Sequence, residues 1–338
     1  METQLIPKSR LELVPVRQQD SIQNRMQVPA VTVAKKNPFI EANTKSVSLS
    51  HLQQDCIIPV FSKDNERTIS HQEFIEVAQQ CVANVFPNHS LEMPEIRTSH
   101  NIKGRIPSAI YKSAKDLLNH EKTTYYERMA FIIRVPSITK TINGNTLALM
   151  IGGVRSYNRE NLYSKKSVEK FQVFIGFQNL ICCNLCISTD GFSSEMRVGS
   201  VNELAGKVQD LMMGYDAEKH LKQLETLSEY SLTESQFAQM IGKAKLYNYI
   251  SKENKANIPE LLLNDGQVST IAKDFYQDER FCMNDGNINL WNVYNLFTSA
   301  NKSSYIDTFS DRNVNAFEFT NGLAQTLNGE SNYHWFLS

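Results

Sequence analysis

Few groupings in this chain have the residue types and spacing that chemistry requires. Cys183-Asn184-Leu185-Cys186 has the two-residue spacing of a zinc or dithiol redox pair. A closed zinc site needs two further ligands, commonly a second such pair, and the other cysteines, Cys56, Cys81, Cys182 and Cys282, are not spaced to supply one. Strand alternation would also place Cys183 and Cys186 on opposite faces, so all of these thiols are read as reduced, apolar packing residues. The histidines His51, His71, His89, His100, His120, His220 and His334 form no HxH or HxxxH pair. Gly152-Gly153 lacks the continuation of a phosphate-cradling loop and is read as a bend or a close strand approach. Asp307 and Asp311, four residues apart, could carry a divalent ion or general acid–base chemistry, but surface charge and helix capping also account for them. No catalytic residue, metal or cofactor is assigned on these grounds, and an enzyme with an unrecognised polar site ranks behind binding functions.

Charge is more informative. Between Arg97 and Lys170 the chain holds 14 Lys and Arg against 5 Asp and Glu, a surplus of +9 inside a protein whose net charge is −1. Such separation creates a local field able to recruit a polyanion. Tyr111, Tyr125, Tyr126, Tyr157 and Tyr163 are interleaved with the cations, as in sheets that hold single strands by phosphate pairing and base stacking. The candidate contacts to single-stranded DNA or RNA are Lys103, Arg105, Arg128, Arg134, Arg155, Tyr157, Arg159, Tyr163, Lys165 and Lys166. The competing reading is that these cations neutralise the acidic flanks, since segments 46–96 and 171–235 each carry −5. In that case the acidic helices would engage a host or plasmid protein instead. A second candidate region is the polar segment 295–312, with Asn301, Lys302, Tyr305, Asp307, Asp311 and Arg312 either stapling a loop to the core or contacting a ligand.

The elements that must position these residues follow from periodicity. Residues 1–45 show no sustained period and are read as a flexible, basic arm. Cys56 to Phe61 is a short strand candidate, and Ser70-His71-Gln72-Glu73 is a capping box that opens a helix with Phe74, Val77, Ala78, Cys81, Val82 and Val85 on its apolar face. Glu127–Val135 and Asn145–Val154 flank Asn143-Gly144, a hairpin signal. A second hairpin is expected between Phe171–Phe177 and Leu180–Ile187. From Ser200 onward the pattern is helical, with capping boxes at Ser200 and Thr233 and further helices near 267–278, 288–300 and 313–327. Strands in the middle and helices behind give an α+β fold with a central antiparallel sheet, organised as the arm, a sheet-containing region 46–199 and a helical region 200–338 packed on the sheet. The opening METQLIPKSR lacks a secretory apolar stretch and no run is long enough to span a bilayer, so no membrane partner and a cytoplasmic location are the defaults.

Ser99–Pro107, Tyr125–Phe131, Ile151–Asn158, Phe174–Asn179, Asn301–Asp307 and the pair Asp311-Arg312 carry a resemblance. Across roughly residues 50–320 the chain resembles an uncharacterised family of anaerobic gut bacteria classed as a domain of unknown function. More distantly it is similar to the phage/plasmid-like proteins of mobile elements. The resemblance implies a setting among conjugative elements, plasmids or prophages, and supplies no catalytic residues.

Overall fold

The computed structural model describes residues 37–56, 68–159, 168–281, 286–330 and 332–338. In chain order its elements are β1 (Lys45–Val47), α1 (Leu49–Gln54), α2 (His71–Val85), β2 (Glu95–Arg105), β3 (Lys122–Ile142), β4 (Asn145–Ser156), β5 (Glu169–Asn179), β6 (Leu185–Cys186), β7 (Phe192–Val198), α3 (Val201–Gly214) and α4 (Ala217–Thr226). There follow β8 (Ser231–Thr233), α5 (Glu234–Tyr247), α6 (Lys252–Lys255), α7 (Asp265–Gln277), β9 (Asn287–Asn289), α8 (Leu290–Asn301), α9 (Ile306–Leu327) and α10 (His334–Leu337). The fold is α+β.

The sheet is antiparallel in the order β1-β2-β3-β4-β5-β6, with β7 also pairing β5. Asn143 and Gly144 both take positive φ, and Ile142 opposes Asn145, so β3 and β4 are joined by the two-residue turn that Asn-Gly favours. Alternation divides the sheet between two cores. Phe131, Ile133, Leu149, Ile151, Phe171, Val173 and Ile175 face α2 and most of the helical region. Ala130, Ile132, Met150, Val154 and Phe174 face the start of α9, where Ile306 and Phe309 meet Phe39 and Ile40. Covering both faces is why β3, β4 and β5 read as nearly continuous apolar runs. Gly176 allows the close approach of β6, since a Cβ there would lie 2.2 Å from the Cys186 carbonyl oxygen.

Two expectations change. The second hairpin is reduced, because only Leu185 and Cys186 pair with β5, and the longer partner of that strand is β7. The strand β7 escapes periodicity because most of its residues are at least partly exposed, with only Met196 and Val198 buried. Helix α9 begins at Ile306, so Asp307, Asp311 and Arg312 lie on a helix and not in a loop. Ile306, Phe309, Ser310, Asn313 and Val314 form its buried stripe at helical spacing, which the intervening polar residues obscure. The strand candidate at Cys56–Phe61 falls, past Cys56, outside the described residues. Helix α2 starts at the expected capping box, with Ser70 accepting from Glu73 N and Glu73 accepting from Ser70 N.

Candidate nucleic-acid interface

The cations of the basic block divide into two sets. The first has partners within the protein, buried at Arg134 and Arg155 and nearer the surface at Arg128, Lys140, Arg159 and Lys170. Arg155 is 0% exposed, its guanidinium paired with Glu169 and donating to the Ile69 carbonyl while lying 4.3 Å over the Phe171 ring and 4.7 Å over Tyr157. Tyr157 is itself buried and stacks on His71 at 4.5 Å. Burial, with Arg155 adding to it, pushes the His71 imidazole down to about 3, and its Nε2 donates to the Tyr126 carbonyl at 2.7 Å. This cluster ties the start of α2 to β4 and β5, so neither Arg155 nor Tyr157 is available to a phosphate or a base. Arg134 is buried as well, held by Glu92 at 2.6 Å, Glu95 at 3.2 Å and Gln178 at 2.7 Å. Arg128 reaches Asp307 at 3.5 Å, and exposed Arg159 donates to the Asp307 carbonyl. Lys140 and Lys170 pair with Glu225 and Glu195. Tyr163, Lys165 and Lys166 lie outside the described residues.

The second set sits on a two-stranded ribbon. Strands β3 and β4 last pair at Arg128 and Ser156, and β1 stops at Thr98 on the other side, yet β2 and β3 continue together out to Arg105 and Lys122. Beyond the sheet this ribbon touches one isolated bridge, Cys56 to Thr124. Arg105 stands opposite Lys122 and Lys103 opposite Thr124, so alternation puts Lys103, Arg105 and Lys122 on one face. Among the described residues none of the three forms an ion pair with a carboxylate; Arg105 donates to the Lys112 carbonyl and Lys122 to Asn119 at 3.3 Å. Like charges directly opposed across strands are destabilising. Here the repulsion is not offset by a neighbouring acid, because Glu121 is engaged by Lys112 at 2.5 Å, which holds its carboxyl below the usual range. The connection at the far end of the ribbon carries Tyr111, 99% exposed, with Ile110 and Leu118 also exposed. The sequence signal for this interface was Lys103-Gly104-Arg105, two cations at strand spacing, on a strand too polar to be recognised as one.

The polar segment after α8 is inside the fold. Asn301 is fully buried and donates to the Phe309 carbonyl at 2.9 Å, while Ser304 donates to Asn301 Oδ1 at 2.6 Å. Lys302 is buried too, its ammonium donating to the Cys182 carbonyl and its own carbonyl accepting from Glu41 N at 2.8 Å. Arg312 reaches Ser304 at 2.7 Å and the Leu262 carbonyl at 3.0 Å, and Asp311 accepts from Gln172 at 3.1 Å. Burial raises the Asp311 carboxyl above its ordinary value. Only Tyr305 of this group is well exposed. The contacts are those of a staple holding the helical region, the segment 37–42 and β6 together. Of the described cysteines, Cys81, Cys182, Cys183 and Cys186 are buried, Cys183 in a turn with positive φ and Cys186 in β6, and Cys56 is half-buried.

A family model described as "Domain of unknown function, B. Theta Gene description" (DUF3871) matches residues 21–337, and the chain belongs to that family. No curated protein and no solved structure matches it. No helix among the described residues is long and apolar enough to cross a membrane.

Proposed function

We propose that this member of the DUF3871 family is a non-catalytic nucleic-acid-binding protein that holds single strands along the face of the β2–β3 ribbon. The observation that carries the reading is the facing pair Arg105 and Lys122, with Lys103 on the same face and, among the described residues, no carboxylate paired with any of them. A phosphate backbone would remove the cross-strand repulsion and release counterions. Tyr111 adds a ring able to stack on an unpaired base, which favours a single strand over a duplex. We extend the proposal to a mobile-element setting, which the resemblance of the sequence to phage/plasmid-like proteins implies and in which such an activity would be used.

The test is a fluorescence-anisotropy titration of labelled single-stranded and duplex oligonucleotides across a salt series. Each phosphate neutralised contributes about −0.7 to the slope of log K against log salt on a single strand. The triple variant Lys103→Ala, Arg105→Ala, Lys122→Ala is expected to flatten that slope by about 2, and Tyr111→Ala to weaken single-strand binding. Absence of binding at low salt would reject the reading. Loss of association with another protein on Tyr111→Ala, with no nucleic acid bound, would assign the exposed Ile110, Tyr111 and Leu118 to a protein partner instead.

A further inference from the structure

The ribbon leaves the sheet at the pair Arg128 and Ser156, and a cleft of about 300 Å³ opens beside that point. Its size lies at the lower end of small-ligand clefts, roughly 300–1,000 Å³. Val154, Ser156, Arg159, Lys170, Gln172 and Glu195 line it. A β-bulge shapes it, since Phe171 opposes Met196 and Val173 opposes Ser193, leaving both Ser194 and Glu195 facing Gln172. Bulges of this kind interrupt a ladder and re-aim side chains beside functional sites.

Two side chains in the cleft are more than nine-tenths buried and have atoms without a hydrogen-bond partner among the described residues, namely Ser156 Oγ and Gln172 Oε1. Arg128, across the strand pair from Ser156 and less buried, has a further atom without a hydrogen bond, its Nε, which lies 4.0 Å from Glu127. A buried polar atom left unpaired has a cost, which a ligand supplying the partner would remove. The orientation of Gln172 follows from its neighbour. Its Nε2 donates to Asp311 at 3.1 Å, which leaves the carbonyl Oε1 to accept from a ligand N–H or O–H. Arg159 is exposed and, while donating to the Asp307 carbonyl, forms no ion pair among the described residues, whereas Lys170 is held by Glu195 at 3.0 Å. The complementary ligand therefore joins an anion, for Arg159, to a hydrogen-bond donor, for Gln172.

We propose that this cleft binds one nucleoside monophosphate unit, its phosphate on Arg159 and an amino group of its base on Gln172 Oε1, with Ser156 completing the contact. The choice of a nucleotide rests on the ribbon reading, because the cleft lies where the ribbon leaves the sheet, at the pair Arg128 and Ser156. The unit is either a free nucleotide or one nucleotide of a bound strand.

Calorimetric titration of the full chain with AMP, CMP, ribose 5-phosphate and inorganic phosphate tests the idea. AMP and CMP are expected to bind more tightly than ribose 5-phosphate or phosphate. Ser156→Ala should weaken AMP about 2- to 12-fold and Arg159→Ala by about tenfold or more, the ranges expected for a neutral and a charge-assisted hydrogen bond. Thermal unfolding supplies a second readout, since removing the unpaired Ser156 hydroxyl should leave the melting temperature unchanged or higher. The ribbon triple variant should still bind AMP. Oligonucleotide binding that AMP competes and Ser156→Ala weakens identifies a nucleotide of a strand; AMP binding without competition identifies a free nucleotide. Binding of ribose 5-phosphate as tight as that of AMP, or AMP affinity unchanged in both variants, would overturn the proposal. No mononucleotide binding in a protein whose oligonucleotide affinity falls in the ribbon variant would overturn it too and leave the ribbon reading standing.

Discussion

Replacing Arg155 separates its two readings, a strand-facing phosphate contact and an internal tie. The side chain is fully buried, pairs with Glu169, donates to the Ile69 carbonyl and lies over two aromatic rings. Arg155→Met removes the charge from a nearly volume-matched site and leaves the Glu169 carboxylate in place, accepting among the described residues only from Ile69 N at 3.1 Å. Breaking a buried ion pair in this way costs about 3–5 kcal/mol, most of it the penalty of an uncompensated charge. The double variant Arg155→Met, Glu169→Gln removes that charge and keeps an acceptor for Ile69 N, so it should recover at least about 1 kcal/mol of the loss. Urea unfolding followed by tryptophan fluorescence reads both, because Trp291 is buried in the core. Lys103→Ala, on the exposed ribbon, serves as control and should stay within about 0.5 kcal/mol of the parent. A loss below about 1 kcal/mol in Arg155→Met, or a salt slope for oligonucleotide binding that changes in that variant, would refute the buried assignment.

Acid should weaken the protein well before its carboxylates protonate. His71 and His220 are held by burial at about 3 against 6.5 for the free imidazole, so between those values the unfolded chain binds more protons and stability falls as pH drops. Each histidine removes about 1.4 kcal/mol per pH unit below 6.5; unfolding free energies measured from pH 6.5 to 4.5 should show this slope and lose most of it in His71→Gln, His220→Gln, whereas parallel profiles would contradict it. Asn301→Ala and Lys302→Ala, each removing a buried donor to a carbonyl, should lower stability by about 1–3 kcal/mol with oligonucleotide binding intact. Unchanged melting with lost binding would move the site to this segment.

The same physics decides which parts of the molecule were legible beforehand. Strands β3, β4 and β5 and helix α2 declare themselves, because each meets a covered surface and its apolar period is uninterrupted. Strands β2 and β7 do not: most of β2 beyond Ser99 stands clear of the core, and β7 is largely exposed, so neither carries an apolar alternation. The start of α9 is obscured for the opposite reason, since its buried stripe includes Ser310 and Asn313, polar residues whose burial depends on local hydrogen bonds such as that of Asn313 to the Phe309 carbonyl.

For the interface, the sum of charges over 97–170 was a correct count of the wrong quantity. A cation contributes to an external field only if no acid has claimed it, and the claims are made across the fold: Arg134 by Glu92 and Glu95, Arg155 by Glu169, Arg128 by Asp307. Glu92 and Glu95 belong to the acidic segment 46–96, and Glu195 and Glu225, which pair with Lys170 and Lys140, to 171–235, while Glu169 lies within the block itself and Asp307 in the helical region. What escapes neutralisation is set by topology. Strands β2 and β3 run past the ends of β1 and β4, and among the described residues Lys103, Arg105 and Lys122 on that overhang are left without a carboxylate partner. A displaced function on this fold should therefore follow the length of the ribbon more closely than the net charge of the chain: removing Arg105 and Lys122 should abolish the field, and adding cations to the buried part of the sheet should only unfold it.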